Sequence, residues 1–264
     1  MKDFFGLSGK NAFLVGGGAG IGQKTAIRLA QAGCNVVIGD VLVDQARGVE
    51  EHLAPYGVRT GSISGDVTDP AGAAALVREA DDLLGGIDVL VTIVGKPTFA
   101  PLIELEVDEW DFDLSLNLRY VFLVGREMAK SMIARSCPGA MTFVTSISGM
   151  QSAPKHAAYG AAKAGLIHLV GSMAVEWAQQ GIRVNSVGPG STVTPRNPDT
   201  PKRQAYMAKS GVPLGRSGDA DEIAKAILFL SSKMGSYITG QNLMVDGGWS
   251  AANLIVRPGA NAPD

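Results

Sequence analysis

Asn11-Ala-Phe-Leu-Val15-Gly16-Gly17-Gly18-Ala19-Gly20-Ile21-Gly22 is the stretch on which the reading of this chain turns. Its first five residues form a short apolar run that breaks into glycines, and Lys24 to Ala32 then carry helical periodicity until Gly33 stops it. The pattern predicts a strand, a tight turn and a helix. Glycines at such a turn have two explanations. A sharp strand-to-helix connection needs them for steric reasons, and a turn without side chains also lets backbone N–H groups and a helix N-terminus face a pyrophosphate.

Outward from the turn the same beat repeats. Asn35-Val-Val-Ile-Gly39 reads as a second buried strand with Asp40 at its C-terminal end, 18 residues beyond Gly22. A dinucleotide fold places its ribose acid there. A carboxylate accepts hydrogen bonds from both ribose hydroxyls and repels a 2′-phosphate, and Val41 and Leu42 offer no basic residue in compensation. The spacing therefore predicts NAD over NADP, although the same acid also serves as a cap for the next helix. Gly61 to Gly65 makes a third strand ending at Asp66, and Pro70 to Leu84 a helix ended by Gly85-Gly86. Asp88 to Gly95 is a fourth strand, Val107 to Arg135 a long helical region, Met141 to Ser146 a fifth strand, Arg183 to Val187 a sixth and Leu243 to Val245 a seventh.

Strands and helices alternating at this length predict an α/β, Rossmann-type doubly wound seven-stranded parallel sheet with helices on both faces, in a single domain over 1–256. Ligands of such sheets sit beyond the C-terminal ends of the strands, where Gly16, Asp40, Asp66, Gly95 and Ser146 fall. Residues 191–213, with four prolines, are expected to form a substrate loop over that edge. The Pro/Gly/Ala-rich 257–264 reads as a frayed tail.

The bulk numbers fit one such domain. The chain has 264 residues, 46% hydrophobic and 18% charged. A net charge of -2 gives no reason to expect nucleic acid or an acidic membrane as a partner. Two distant cysteines, Cys34 and Cys137, and three histidines exclude a disulfide framework and give no metal-ligand spacing. The N-terminus lacks the apolar core of a signal peptide, and no apolar run approaches the roughly 18 residues of a membrane span. A cytoplasmic, reducing location is expected.

Ser146 to Lys163 carries the chemistry. The Ala-rich segment after Pro154 starts a helix, on which Tyr159 and Lys163 are four apart and share a face. A tyrosine with a pKa of about 10 is a poor base at neutral pH, and a nearby ammonium favours its phenolate. Taken alone, such a pair also arises by chance on a helix surface.

The order and spacing of these features resemble the single-domain short-chain dehydrogenases/reductases from about Gly9 to Trp249. The likeness rests on Gly20-Ile21-Gly22, Asp40, Asp66-Val67, Asn117, Ser146 thirteen before Tyr159, Tyr159-x-x-x-Lys163, Pro189-Gly190 with Thr194, and Thr239-Gly240-Gln241 through Asp246-Gly-Gly. The resemblance implies an oxidoreductase in which Tyr159 is the acid/base and Ser146 holds the substrate oxygen. It implies that Lys163 binds the nicotinamide ribose and lowers the tyrosine pKa, while Asn117 kinks its helix and keeps a relay water. Gly16, Gly18, Gly20, Ile21, Gly22 and Gly95 would join Asp40 against the cofactor, with Asp66 and Val67 flanking adenine and Pro189, Gly190 and Thr194 facing the nicotinamide.

Two departures stand out. The family usually begins its glycine turn with threonine, where this chain has Val15. It usually has Asn-Asn-Ala-Gly after the fourth strand, where this chain has Thr92-Ile93-Val94-Gly95. Looser cofactor binding or compensating contacts are expected, with the reaction unchanged.

The competing reading is a protein that kept the NAD-binding fold as a redox sensor or scaffold, but a pure binder has no need of an activated phenol. An epimerase of the longer related group would need more chain after the seventh strand, and an enoyl reductase a wider Tyr-to-Lys spacing. A secondary alcohol and ketone pair remains. Ser148, Met150, Gln151, Pro154, Lys96 to Phe99, Ser191, Val193, Tyr206 and Met207 are the expected pocket, a mostly apolar set that suits a medium-sized alicyclic or steroid-like substrate. Lys202, Arg203 and Lys209 are expected to be solvated, and His156 to be a surface residue. The resemblance further implies a homotetramer, and the apolar Leu166, Leu169, Val170 and Met173 are read as part of its interface. The segment after Trp249 is expected to reach a neighbouring subunit.

Overall fold

The computed structural model describes residues 3–252. The tail over 257–264 lies outside the described residues, so its expected crossing to a neighbour has no structural counterpart here. Strands run β1 Asn11–Val15, β2 Asn35–Gly39, β3 Thr60–Ile63, β4 Val89–Thr92, β5 Gly139–Val144, β6 Ile182–Pro189, β7 Thr192–Val193, β8 Gly218–Asp219 and β9 Asn242–Val245. Helices run α1 Gly20–Gln31, α2 Val43–Leu53, α3 Pro70–Leu84, α4 Val107–Leu114, α5 Tyr120–Ala134, α6 Ala157–Trp177, α7 Pro201–Met207 and α8 Ala220–Ser231.

Seven strands form one parallel sheet in the order β3-β2-β1-β4-β5-β6-β9. β7 and β8 pair separately as a two-stranded parallel ribbon within and beside the expected loop. The strand alternation of period two assigns the faces. From β1, Phe13 and Val15 enter a core with α3, α5 and α6, whereas Ala12 and Leu14 enter the opposite core with α1, α2 and α8. Both faces of the sheet are therefore dry, which is what parallel strands joined by helical crossovers require.

Local signals set the ends of the helices. Asp69 caps α3 by accepting from the Gly72 N–H at 2.7 Å, Pro70 supplies its first residue, and Gly85 ends it at φ 78°. Asp219 and Glu222 form a reciprocal capping box at the start of α8.

The order reverses between β1 and β4, since β1 leads outward to β2 and β3 while β4 leads to β5, β6 and β9. The crevice above that reversal is where a doubly wound sheet opens to a ligand.

Four expectations are corrected. The first helix begins at Gly20 inside the glycine turn, not at Lys24. β4 ends at Thr92, because past Ile93, whose N–H still donates to Val15, the chain turns away to meet Asn117 and Tyr120. Ser146 stands two residues past the end of β5, at the cap of a short 3₁₀ turn. Leu166, Val170 and Met173 are buried in the chain's own core and Leu169 packs against it, so these four are not the free apolar surface of an interface. A 21-residue helix with almost no amphipathic contrast is covered on its own sheet more fully than its sequence indicates.

Candidate active site

The glycine turn leaves β1 through backbone alone. Gly16 has φ 83° and Gly20 φ 56°, conformations that disfavour other residues. At Gly22 a Cβ would meet the Gly16 carbonyl oxygen at 2.4 Å, so the first turn of α1 is pressed directly on the loop. Ala19 caps α1 without a side-chain hydrogen bond, and the first turn carries no acidic residue. The N–H groups and positive dipole end of α1 are thus left for an anion, a donor set that fits a cofactor diphosphate.

Val15, in place of the family threonine, is buried in the core and makes no brace for the turn. Other contacts take that role. Gly16 N–H donates to the Gly39 carbonyl at 2.8 Å, and Asp40 accepts from Gly18 N–H and Leu42 N–H, each at 3.0 Å. Asp40 therefore stands against the glycine turn at the end of β2. Asp66 is held by Thr68, whose N–H and hydroxyl donate to it at 2.8 and 2.7 Å, and Val67 beside it is buried.

Across the crevice, Gly190 leaves β6 so close to β9 that a Cβ would lie 2.8 Å from Asp246. Thr194 sits over the glycine turn, within 3.3 Å of where a Gly20 Cβ would be. Of the expected Pro189, Gly190 and Thr194, it is Thr194 that meets the glycine turn, against Gly20.

The residues expected to transfer the proton meet beside this turn. Between α4 and α5 the helix widens into a π turn over Ser115–Arg119, which holds Asn117. Such turns add a residue without breaking the helix and free a backbone carbonyl and a side chain for other partners. Asn117 is fully buried. Its amide donates to the carbonyls of Lys96 at 3.0 Å and Asp113 at 2.9 Å, and its oxygen accepts from Lys96 N–H at 3.1 Å. A Cβ on Gly95 would lie 2.9 Å from the Asn117 oxygen and 3.4 Å from Lys163 Nζ, so Gly95, Asn117 and Lys163 converge on one point.

Lys163 is 2% exposed and donates to the Val144 carbonyl at 2.9 Å. Burial lowers its pKa to about 7. Its ammonium lies 5.6 Å from the centre of the Tyr159 ring. Burial raises the Tyr159 phenol above its usual value, the Ser146 side chain opposes this, and the charge of Asp113 adds to it.

The serine is brought to the tyrosine by two glycines that the sequence reading passed over. Ser146 caps the 3₁₀ turn Ile147–Gly149 and accepts from Ser148 N–H at 3.1 Å. A Cβ on Gly149 would lie 2.8 Å from the Lys163 carbonyl carbon, and one on Gly160 would lie 3.1 Å from the Ser148 oxygen. Only backbone without side chains lets this turn lie on α6. A glycine three residues after the serine and another directly after the tyrosine were the available signals.

One further residue, Tyr120, answers to the Thr92-Ile93-Val94-Gly95 departure and went unnoticed in the sequence. The Tyr120 hydroxyl is fully buried, stands 3.1 Å from the Thr92 hydroxyl and donates to the Val94 carbonyl at 3.0 Å. A tyrosine from α5 thus ties the end of β4 where the family uses asparagine.

The expected substrate residues are dispersed. Ser148 lies on the serine turn, Met150 is exposed just after it, and Gln151 reaches the Ser250 carbonyl at 3.4 Å. Val193 is in β7 and Tyr206 is exposed on α7. Ser191 is occupied, receiving Arg203 Nη2 at 2.7 Å. Met207 is buried and faces packing. Arg203, expected to be solvated, also binds the Ser217 hydroxyl at 2.9 Å and so anchors α7 to the small ribbon. His156, expected at the surface, is half-buried between Phe99, at 4.7 Å between ring centres, and Tyr159, at 6.3 Å.

Comparison with known proteins agrees in kind. A family model described as Enoyl-(Acyl carrier protein) reductase matches residues 16–250. The 3-oxoacyl-(acyl-carrier-protein) reductase FabG of Thermotoga maritima is 35% identical over 92% of this chain and 98% of its own. The cis-4-hydroxycyclohexanecarboxylate dehydrogenase of Sinomonas cyclohexanicum is 39% identical over 91% of this chain and 96% of its own. Among solved structures, a short-chain type dehydrogenase/reductase from Mycobacterium marinum superimposes with a TM-score of 0.87 at 31% identity, covering 95% of this chain and 98% of that one.

Proposed function

The chain belongs to the short-chain dehydrogenase/reductase family and is an oxidoreductase of it, and from that premise we propose that it interconverts a secondary alcohol and a ketone with NAD as cofactor. The observation that carries the reading is the convergence of Ser146, Tyr159, Lys163 and Asn117 beside an uncapped helix N-terminus at the reversal of the sheet.

The nicotinamide, when bound, supplies the hydride acceptor or donor. The chain does the rest. In the direction of oxidation, the Tyr159 phenolate takes the proton of the substrate hydroxyl, and Ser146 holds the same oxygen in line. Lys163 beside the phenol favours the phenolate whenever it is charged, and its burial places that charge change near neutral pH. Asn117 and Gly95 fix the space beside Lys163 through which the proton is passed on. In reduction the steps reverse, with Tyr159 as the acid.

Asp40 supports NAD over NADP, because a carboxylate at this site repels a 2′-phosphate and neither Val41 nor Leu42 offsets it. Exposed Phe99, Met150 and Tyr206, and a relative named for a hydroxycyclohexane acid, support a medium-sized, largely apolar and alicyclic alcohol. The spacing of four between Tyr159 and Lys163 supports carbonyl rather than enoyl chemistry. Residues 191–213 serve as the substrate loop of the domain. Cys34 and Cys137, both free thiols, fit a reducing cytoplasm. Exposed Phe112 and Phe122 near the π turn and Val175 on α6 support a homotetramer built on α4, α5 and α6.

The test is a panel of secondary alcohols, alicyclic ones included, offered with NAD and with NADP and followed by reduced cofactor, beside Tyr159→Phe. The wild type is expected to oxidise at least one alcohol with NAD, and the variant to lose roughly 10²- to 10⁴-fold in rate while still binding cofactor. No oxidation by wild type, or full activity in the variant, overturns the reading.

A further inference from the structure

One ring beside the site has no part in the proton path described above. His156 is half-buried and stands edge-on between Phe99, 4.7 Å away between ring centres, and Tyr159, 6.3 Å away. It is the N-cap residue of α6, yet its side chain makes no capping hydrogen bond. The helix it begins therefore does not account for where the ring lies.

The backbone before it is held in an unusual shape. Ala153 to His156 close a tight turn, with His156 N–H donating to the Ala153 carbonyl at 3.3 Å. Pro154 takes the second position, which suits it, but Lys155 takes the third at φ 63°. That place favours glycine or asparagine, and a lysine there is strained. Among the described residues only Ser136 shares such a φ without being glycine. Strain of this kind clusters where a site needs a side chain in one place.

What the turn achieves is to fold the His156 ring back on Pro154, with Nδ1 3.0 Å from the Pro154 carbonyl oxygen. A carbonyl only accepts, so Nδ1 carries the proton. In the neutral ring Nε2 is then a bare acceptor, on the far side from that bond. The Pro154 bond is the ring's one hydrogen bond among the described residues. No buried polar side-chain atom among them lacks a partner, so Nε2, which has none, is open to solvent.

We propose that His156 is a specificity-determining residue, its Nε2 accepting a hydrogen bond from a second hydroxyl of the substrate while Tyr159 and Ser146 hold the reacting one. The preferred substrate is then an alicyclic diol. The proposal rests on Tyr159 and Ser146 being the groups that take the reacting oxygen. A mono-alcohol in the same place would cover Nε2 and leave it unpaired, which is the cost that lets a site discriminate between the two. Phe99, largely exposed against the same ring, offers its apolar face to the carbons between the hydroxyls.

The experiment reads the ring nitrogens directly, by ¹⁵N NMR of the full chain labelled in histidine, at a pH of about 8 where an ordinary histidine is neutral. His52 and His168 are exposed, and His52→Gln and His168→Gln identify their signals, so that His156 is assigned without being changed. NADH is kept saturating, since it cannot take a hydride and the alcohol is bound without turnover. The three positional cyclohexanediols and cyclohexanol are then titrated in turn. The proposal expects the free protein to carry the His156 proton on Nδ1, and the Nε2 resonance to move upfield with at least one diol and less with cyclohexanol. A proton on Nε2 in the free protein overturns it. So does an Nε2 that no diol moves, or one that cyclohexanol moves as far.

A kinetic arm uses the diol that moves Nε2. With NAD, its kcat/KM relative to that of cyclohexanol is expected to be about 3- to 10-fold lower in His156→Phe than in wild type, and an unchanged ratio overturns the proposal. The nitrogen signals give their answer even if none of these alcohols is oxidised, an outcome that would count against the proposed activity and not against this assignment.

Discussion

At the scale of single residues, Lys163 shows how a reactive group is held at a cost to the fold. It is buried without a carboxylate partner, and its folded pKa of about 7 lies below the ordinary lysine value. The unfolded chain therefore binds one more proton than the folded chain between pH of about 7 and 10.5, and stability gains with rising pH across that window. Below it the whole penalty is present. Lys163→Met is expected to abolish activity and yet to raise stability near pH 6 by up to roughly 5 kcal/mol, less what the orphaned Val144 carbonyl takes back. The gain should fade toward pH 10, and urea denaturation of both proteins at the two pH values checks it. An equal gain at both would mean the burial penalty is not the cause. Tyr159 and Lys163 were legible as a pair from their spacing. The near-neutral lysine was not, because its pKa depends on how completely β5 and the Gly95 segment close over it.

At the scale of elements, the site depends on places where two elements touch without side chains between them. Gly149 against the Lys163 backbone is the clearest case. Gly149→Ala must shift the serine turn off α6, and activity is expected to fall by about 10²-fold, the scale of a reacting group displaced by about 1 Å, while the melting temperature changes little. A loss of fold equal to the loss of activity would count against this. The end of β4 is a second case. Tyr120→Phe leaves the buried Thr92 hydroxyl and the half-buried Val94 carbonyl without their partner, and is expected to cost about 1–3 kcal/mol in equilibrium denaturation. No measurable change would show that water replaces the phenol. The sequence showed that asparagine was missing here, but Tyr120 lies 28 residues beyond Thr92 and nothing local links the two. Asn117 was singled out by the family resemblance, whereas the π turn that holds it was absorbed into one long helical pattern.

At the scale of the whole molecule, parallel strand order brings residues from five loops to one crevice. The glycine turn, Asp40, Gly95, Ser146 and Gly190 follow β1, β2, β4, β5 and β6, and all leave the sheet on the same edge. Arg28 on α1 clasps Asp221 on α8 through Nε and Nη2, joining residues 193 apart in the chain on one face. On the other side Phe112, Phe122, Ile133 and Val175 are among the apolar residues left exposed, whereas Leu166, Val170 and Met173 of the set that the sequence marked are buried. The proposed assembly is tested there. Phe122→Glu together with Val175→Glu is expected to convert a tetramer to smaller species in light scattering, with far-ultraviolet circular dichroism unchanged. A wild-type monomer, or a variant that still forms tetramers, would remove α5 and α6 from the interface.

By itself the sequence determined the strand and helix order, the glycine turn, the acid after β2 and the Ser146, Tyr159 and Lys163 spacing, because each is a local pattern of period, turn chemistry or fixed offset. Only the tertiary structure decided which of those groups meet and what they become. The burial that lowers Lys163, the Tyr120 tie and the bare contact at Gly149 all join residues distant along the chain, and no local pattern encodes how closely two remote backbones approach. The turn that opened the reading is suited to an anion in this fold because α1 starts within it, uncapped and without acid, and because that helix end lies where the sheet reverses.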